Sequence, residues 1–159
     1  MVTPKLLRGV GINAGETFAI DPFITVGGYL KNAKQNHEIQ MNKFIKLPHK
    51  VIASHTSQFL LPKIREKYPD ASDEDIISLM IKVPDNLKGH VYMNETVKGI
   101  DFEDASLLAR GAAIAGNILV KAGADIESLC STHVRGAHLI SSARIGDVVD
   151  SNLETEIKN

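Results

Sequence analysis

Cys130, His133 and His138 stand in the order Cys-x-x-His-x-x-x-x-His, and a thiolate with two imidazoles suits zinc once a fourth ligand arrives. The same thiol beside His133 is also a nucleophile with a candidate imidazole base. Both chemistries need their side chains on one side of the backbone. On an extended strand, positions 130 and 133 face opposite sides, so the geometry opposes both unless the strand bends there. No oxyanion-stabilising element accompanies the pair, and the expected state of Cys130 is a small buried hydrophobe. The expectation is no catalytic residue, no cofactor and no metal, with Cys130, His133 and His138 as weak metal candidates. Gly9-Val-Gly and Gly27-Gly28 lack the strand-to-helix context of a phosphate-binding loop.

The elements that would carry these residues follow from hydrophobic periodicity. Residues 5–13 and 17–20 alternate as strands around an Asn13-Ala-Gly-Glu turn, and 23–30 is expected to continue that sheet. Residues 31–46 are rich in Asn, Gln and Lys, which suits an exposed loop or an edge strand. A short strand over 50–53 leads to a helix that begins near Leu60 or Leu61, because Pro62 fits only a first turn, and runs through Tyr68. Ser72-Asp-Glu-Asp has the form of a capping box, yet Ile77, Leu79, Ile81 and Val83 alternate with Ser78, Met80 and Lys82. A strand over 76–83 is the stronger reading, with a second extended piece over 90–93.

Asp101 can cap the main helix, Glu103 and Asp104 place negative charge on the positive end of its dipole, and Gly123 suits the left-handed position past its last turn. Leu108, Ala112, Ala115, Leu119 and Ala122 follow the spacing of a buried stripe, whereas Arg110, Asn117 and Lys121 fall on a polar side. Gly111, Ala113 and Gly116 keep the helix thin enough to pack close to a neighbour. Strands over 127–134 and 138–142 follow, joined through an Arg135-Gly136 turn. Gly146-Asp147 then closes the second strand and opens a short helix from 148 toward 157.

Composition bounds the class of protein. With 159 residues, 43% apolar and 23% charged, the chain fits one α/β (α+β) domain with a mixed or antiparallel sheet, a β-rich extension over 1–48 and a core over 49–159. Eighteen basic against nineteen acidic residues give no field to gather nucleic acid or an anionic membrane, and near-neutral charge eases self-association. One cysteine excludes an internal disulfide framework. Charged residues interrupt every long apolar window, and the N-terminus lacks a signal-peptide layout, so a cytoplasmic location is expected.

The order of strand 76–83, a helix ending Ile114-Ala-Gly-Asn-Ile-Leu-Val-Lys-Ala-Gly-Ala-Asp-Ile, a strand, Arg135-Gly-Ala-His-Leu-Ile and Gly146-Asp-Val-Val resembles bacterial microcompartment shell proteins. It is most similar to the circularly permuted type found with ethanolamine and propanediol utilisation. The resemblance implies that Asn117 and Lys121 lie at a subunit edge and that Arg135 and Gly136 line a central pore. It also implies that the N-terminal strands form a small barrel over that pore. The partners would be copies of the chain in a ring and related shell subunits, and the pore would pass small metabolites.

A second fold fits some of the same residues. Ala143-Arg-Ile-Gly-Asp-Val-Val is similar to the paired strands and turn of hotdog acyl-CoA thioesterases, in which Glu103 or Asp104 would supply a carboxylate near the start of the helix. The functional expectation is a self-assembling, ring-forming structural subunit, with the thioesterase as the alternative. No membrane or nucleic-acid partner is expected.

Overall fold

The computed structural model describes residues 17–34, 44–48, 50–54, 58–85, 88–92, 95–136, 145 and 149–154. In chain order its elements are β1 (Thr17–Phe18), β2 (Phe23–Tyr29), β3 (Phe44–Leu47), β4 (Lys50–Ser54), α1 (Leu61–Arg65), β5 (Ile76–Lys82), β6 (Gly89–Val91), β7 (Thr96–Val97), α2 (Phe102–Lys121) and β8 (Cys130–Ser131). Single 3-10 turns over Asp73–Asp75 and Ile126–Ser128 precede β5 and β8. The architecture is α+β, with antiparallel sheets and one long helix. The chain folds as two compact units, one of Pro22–Pro84 and Phe102–Arg135, the other of Met1–Asp21, Asp85–Asp101 and Gly136–Asn159.

The first unit is built on a five-stranded sheet in the order β3-β4-β5-β2-β8. Alternation in β5 decides what covers each face. Ile81 and Val83 are buried, and Ile77 and Leu79 pack with them, against Leu108, Ala115 and Leu119 of α2. One residue out of phase, Ile76 packs with Leu60, Ile64 and Ala71 around α1. The strand expected over 76–83 is formed, and its sheet is packed on both faces rather than on the single face that apolar–polar alternation implies. Burying each large aliphatic side chain contributes about 1.5–3 kcal/mol.

Two of the expected local signals coexist at residue 72. Asp75 Oδ2 accepts the Ser72 amide at 3.0 Å and the Ser72 hydroxyl at 2.8 Å. This is a capping box on a single 3-10 turn, and β5 begins immediately after it. Asp75 Oδ1 also accepts the Asn32 amide at 2.9 Å. The Asn32 bond first, and then the Ser72 bonds, hold the Asp75 carboxyl below the ordinary carboxylate range. Helix α1 starts beside Pro62, as the proline requires, but stops at Arg65 rather than Tyr68. Residues 44–47 form β3 at the sheet edge, which fits the polar run that precedes it.

Strand β2 departs from expectation. It does not continue the sheet of β1 but lies between β5 and the edge strand β8, inside the five-stranded sheet. Gly27 is why this position works. A Cβ there would stand 2.5 Å from Leu60 Cδ1 and 2.8 Å from the Ile77 carbonyl, so the missing side chain lets the α1 region sit directly on the sheet.

The second unit carries a three-stranded antiparallel sheet in the order β1-β6-β7. Phe18 is buried there against Gly89, whose Cβ would lie 2.7 Å from the ring. Beside it, Asp85 Oδ1 accepts the amides of Ile20 and Asp21 at 3.1 and 3.0 Å, and Lys98 Nζ stands 2.6 Å from Asp85 Oδ2. The expected helix from 148 is not formed over its described part. Asp150 Oδ1 instead accepts the amides of Asn152 and Glu154, so the side chain turns the backbone before a helix can start. Strands 5–13 and 138–142 and the Gly146-Asp147 turn lie outside the described residues. No helix among the described residues is long and apolar enough to cross a membrane.

Candidate functional site

The long helix has three sides of different chemistry. Asp104, Leu108, Gly111, Ala115 and Leu119 form the side that is buried against the sheet. Spacings of three and four residues keep these positions in line. Gly111 is the point of closest approach, since a Cβ there would stand 2.3 Å from Ile81 Cγ2. Ala112 is only half-buried and Ala122 is exposed, because the core stripe runs through Gly111 instead. Part of the helix's thinness thus serves its own sheet.

Arg110, Asn117 and Lys121 are exposed, as expected of a polar side. Lys121 occupies the last turn, where a cation suits the negative end of the helix dipole. A third side remains between the core stripe and this polar one. At about 100° per residue, Phe102, Ala105, Ala109, Ala113, Gly116 and Val120 share it, and none of them is charged. Phe102, with 89% of its surface exposed, begins the stripe, and Ala105, Ala109 and Ala113 are exposed beyond it.

Toward its C-terminal end this side becomes the wall of a groove of about 500 Å³, in which Ala113, Gly116 and Val120 face Ile126, Leu129 and Cys130. The far wall is set by how the helix ends. Gly123 takes φ +104, its amide donates to the Val120 carbonyl at 3.0 Å, and the Ala124 amide donates to the Leu119 carbonyl at 3.0 Å. This is a Schellman stop, with Ala124 and Leu119 in one apolar cluster. The chain then turns back on Asp125, whose amide donates to the Tyr29 carbonyl at 2.9 Å and whose Oδ1 accepts the Glu127 amide at 2.9 Å. Asp125 Oδ2 accepts the hydroxyl of Tyr68, a ring stacked on Tyr29 at 4.1 Å between centroids. The Tyr68 hydroxyl is the main reason that the Asp125 carboxyl is held below the usual carboxylate range, and the same bond raises the Tyr68 phenol.

Cys130 is half-buried in β8 between this groove and a second hollow of about 390 Å³ whose rim carries Lys63, Glu66, Lys67 and Glu127. Burial pushes its thiol up, against a smaller lowering by Lys63, so at neutral pH it is held protonated. Only residues 130 and 131 of the strand expected over 127–134 are regular, because the turn over Ile126–Ser128 occupies its beginning. His133 is exposed, and His138 lies outside the described residues. Among the described residues no three of His, Cys, Asp and Glu come together as a metal site. Arg135 exchanges backbone hydrogen bonds with Phe23 at 2.8 and 2.9 Å and lays its guanidinium over the Phe59 ring, 3.9 Å from the centroid. The Cβ that Gly136 lacks would stand 2.5 Å from Ile20. Of the two helix-start carboxylates, Glu103 is exposed, whereas Asp104 is 5% exposed.

The uncharged side of α2 and the far wall at Ile126 and Leu129 were not singled out by pattern reading. Their signal is nevertheless present. From Ala105 to Gly116 the only charged residue is Arg110, which is more apolar sequence than one core stripe can use.

The chain is 37% identical over 138 residues to the uncharacterized protein MJ1450 of Methanocaldococcus jannaschii. The match covers 86% of this chain and 37% of that protein, so the chain spans little more than a third of the length of the curated relative it matches. No family model matches the chain. No solved structure matches it either.

Proposed function

We propose that the chain works as a self-associating structural subunit, through a surface rather than a reactive centre. The observation that carries this reading is the uncharged side of α2, which runs the length of the helix and opens into the groove at Gly116. Exposed apolar surface of this continuity marks interaction sites in soluble proteins. Small side chains on it let a neighbouring backbone approach closely. The near balance of 18 basic and 19 acidic residues adds little repulsion between copies. Lys121 and Asn117 flank this side of the helix, where the shell-protein resemblance would place a subunit edge.

Sedimentation velocity across a hundredfold concentration range tests the reading. The expected result is a concentration-dependent rise in mass, to a discrete oligomer or to the larger rings that the resemblance implies. Replacement of Gly116 by Arg is expected to reduce association while leaving the thermal melting of the fold intact. A wild-type chain that sediments as a monomer throughout overturns the proposal.

A further inference from the structure

We infer that the groove beside Gly116 receives Phe102 of a second copy, in an antiparallel two-fold pairing of the long helices centred on Ala109; this rests on the self-association proposed above. Three observations lead to it. Phe102 is a large ring with 89% of its surface exposed at one end of an otherwise small-residue stripe. A groove of about 500 Å³ lies at the other end of the same stripe, lined by Ala113, Gly116, Val120, Ile126 and Leu129. The stripe between them is palindromic in its spacing.

Positions 102, 105, 109, 113 and 116 step by three, four, four and three residues, and a two-fold axis through Ala109 maps this series onto itself. In that register Phe102 of each copy faces Gly116 of the other, Ala105 faces Ala113, and Ala109 meets its twin. Within this series the one large residue, Phe102, therefore faces the smallest, Gly116. The Cβ that Gly116 lacks has only Leu129 Cδ1 near it, at 3.6 Å, so the space for a ring is open rather than filled by the chain itself.

Charge favours the same occupant. A two-fold axis places each facing residue near its centre against its own copy, which is unfavourable for a charged side chain; none of 102, 105, 109, 113 and 116 is charged, and Arg110 beside the axis lies on the polar side of the helix. The helix dipoles run antiparallel in the pair. The two phenylalanines bring in roughly 300–500 Å², a substantial part of the ~1,600 Å² that a standard interface buries. An isologous contact of this kind closes at two copies, so larger rings would need a second surface.

Sedimentation equilibrium of the full chain and of Phe102→Ala, together with thiol cross-linking of Ala109→Cys in a Cys130→Ser background, tests the pairing. Phe102 is exposed, so its truncation leaves the fold intact. The expected results are a dissociation constant raised about a hundredfold in Phe102→Ala and a disulfide-linked dimer of Ala109→Cys under mild oxidation. Lys121→Cys, on the polar side, is the control and should not cross-link. If the wild type associates but Phe102→Ala does so equally well, or if Ala109→Cys fails to cross-link, this pairing is overturned and the broader reading stands. A monomeric wild type overturns both.

Discussion

Gly111 and Gly116 lie five residues apart on one helix and answer opposite demands. Gly111 faces β5, where a Cβ would meet the stiff side chain of Ile81 at 2.3 Å. Gly116 faces a groove, and its nearest would-be neighbour is an ordinary van der Waals contact away. The same residue type is thus required by the fold on one side of α2 and left over on the other. Sequence pattern treats the two alike, and only the packing separates them.

The sharpest way to test that division is to damage the core side directly. Leu119→Ala removes a 3% exposed side chain that also anchors the Schellman stop, and is expected to destabilise the chain by about 3 kcal/mol. Urea denaturation reads this as a lower midpoint with an unchanged slope. A loss below about 1 kcal/mol would mean that the sheet-facing stripe does not carry the core.

The glycine pair gives the more discriminating measurement. Gly111→Ala should cost about 1–2 kcal/mol through overpacking against Ile81. Gly116→Ala should add about 0.5–1 kcal/mol through helix propensity, since nothing there resists a methyl group. Urea midpoints that shift the same way in both variants would erase the distinction between the two sides.

A smaller effect tests the joint that sets the far wall of the groove. Asp125 has a folded-state pKa lowered by the Tyr68 hydroxyl first and the Glu127 amide second. A lowered value contributes stability above the unfolded pKa of about 3.9, and that contribution is lost as pH falls through the lower folded value. Urea midpoints followed from pH 7 to 2 should therefore fall most steeply below about pH 4, and less steeply in Asp125→Asn. Parallel curves for the two proteins would show that the Tyr68 bond does not form in solution.

The long helix, β5, β4 and the start of α1 were legible because each rests on a local rule: period, alternation or a proline in the first turn. The capping box at Ser72 was legible too, although one turn of 3-10 helix satisfies it. The place of β2 was not. Gly27 and Gly28 read as punctuation, and their use in letting α1 and the Asp125 segment close on the sheet depends on neighbours at positions 60, 77, 124 and 128. The stripe on α2 was half legible. Its small residues pointed to close packing, but Gly111 turned inward and Ala109 outward by a rotation that composition does not encode. The far wall of the groove was hidden for the same reason, since Ile126 and Leu129 arrive there only after the turn at Gly123 reverses the chain.

The chain has no tryptophan and three tyrosines, two of which are the stacked pair Tyr29 and Tyr68. Its ultraviolet optical activity near the tyrosine band thus reports chiefly on one place, the spot where the chain leaving α2 is tied to the end of β2. Spectroscopy without any added dye can watch that knot loosen while far-ultraviolet signals follow the helix itself, so the order in which the two give way is open to direct observation.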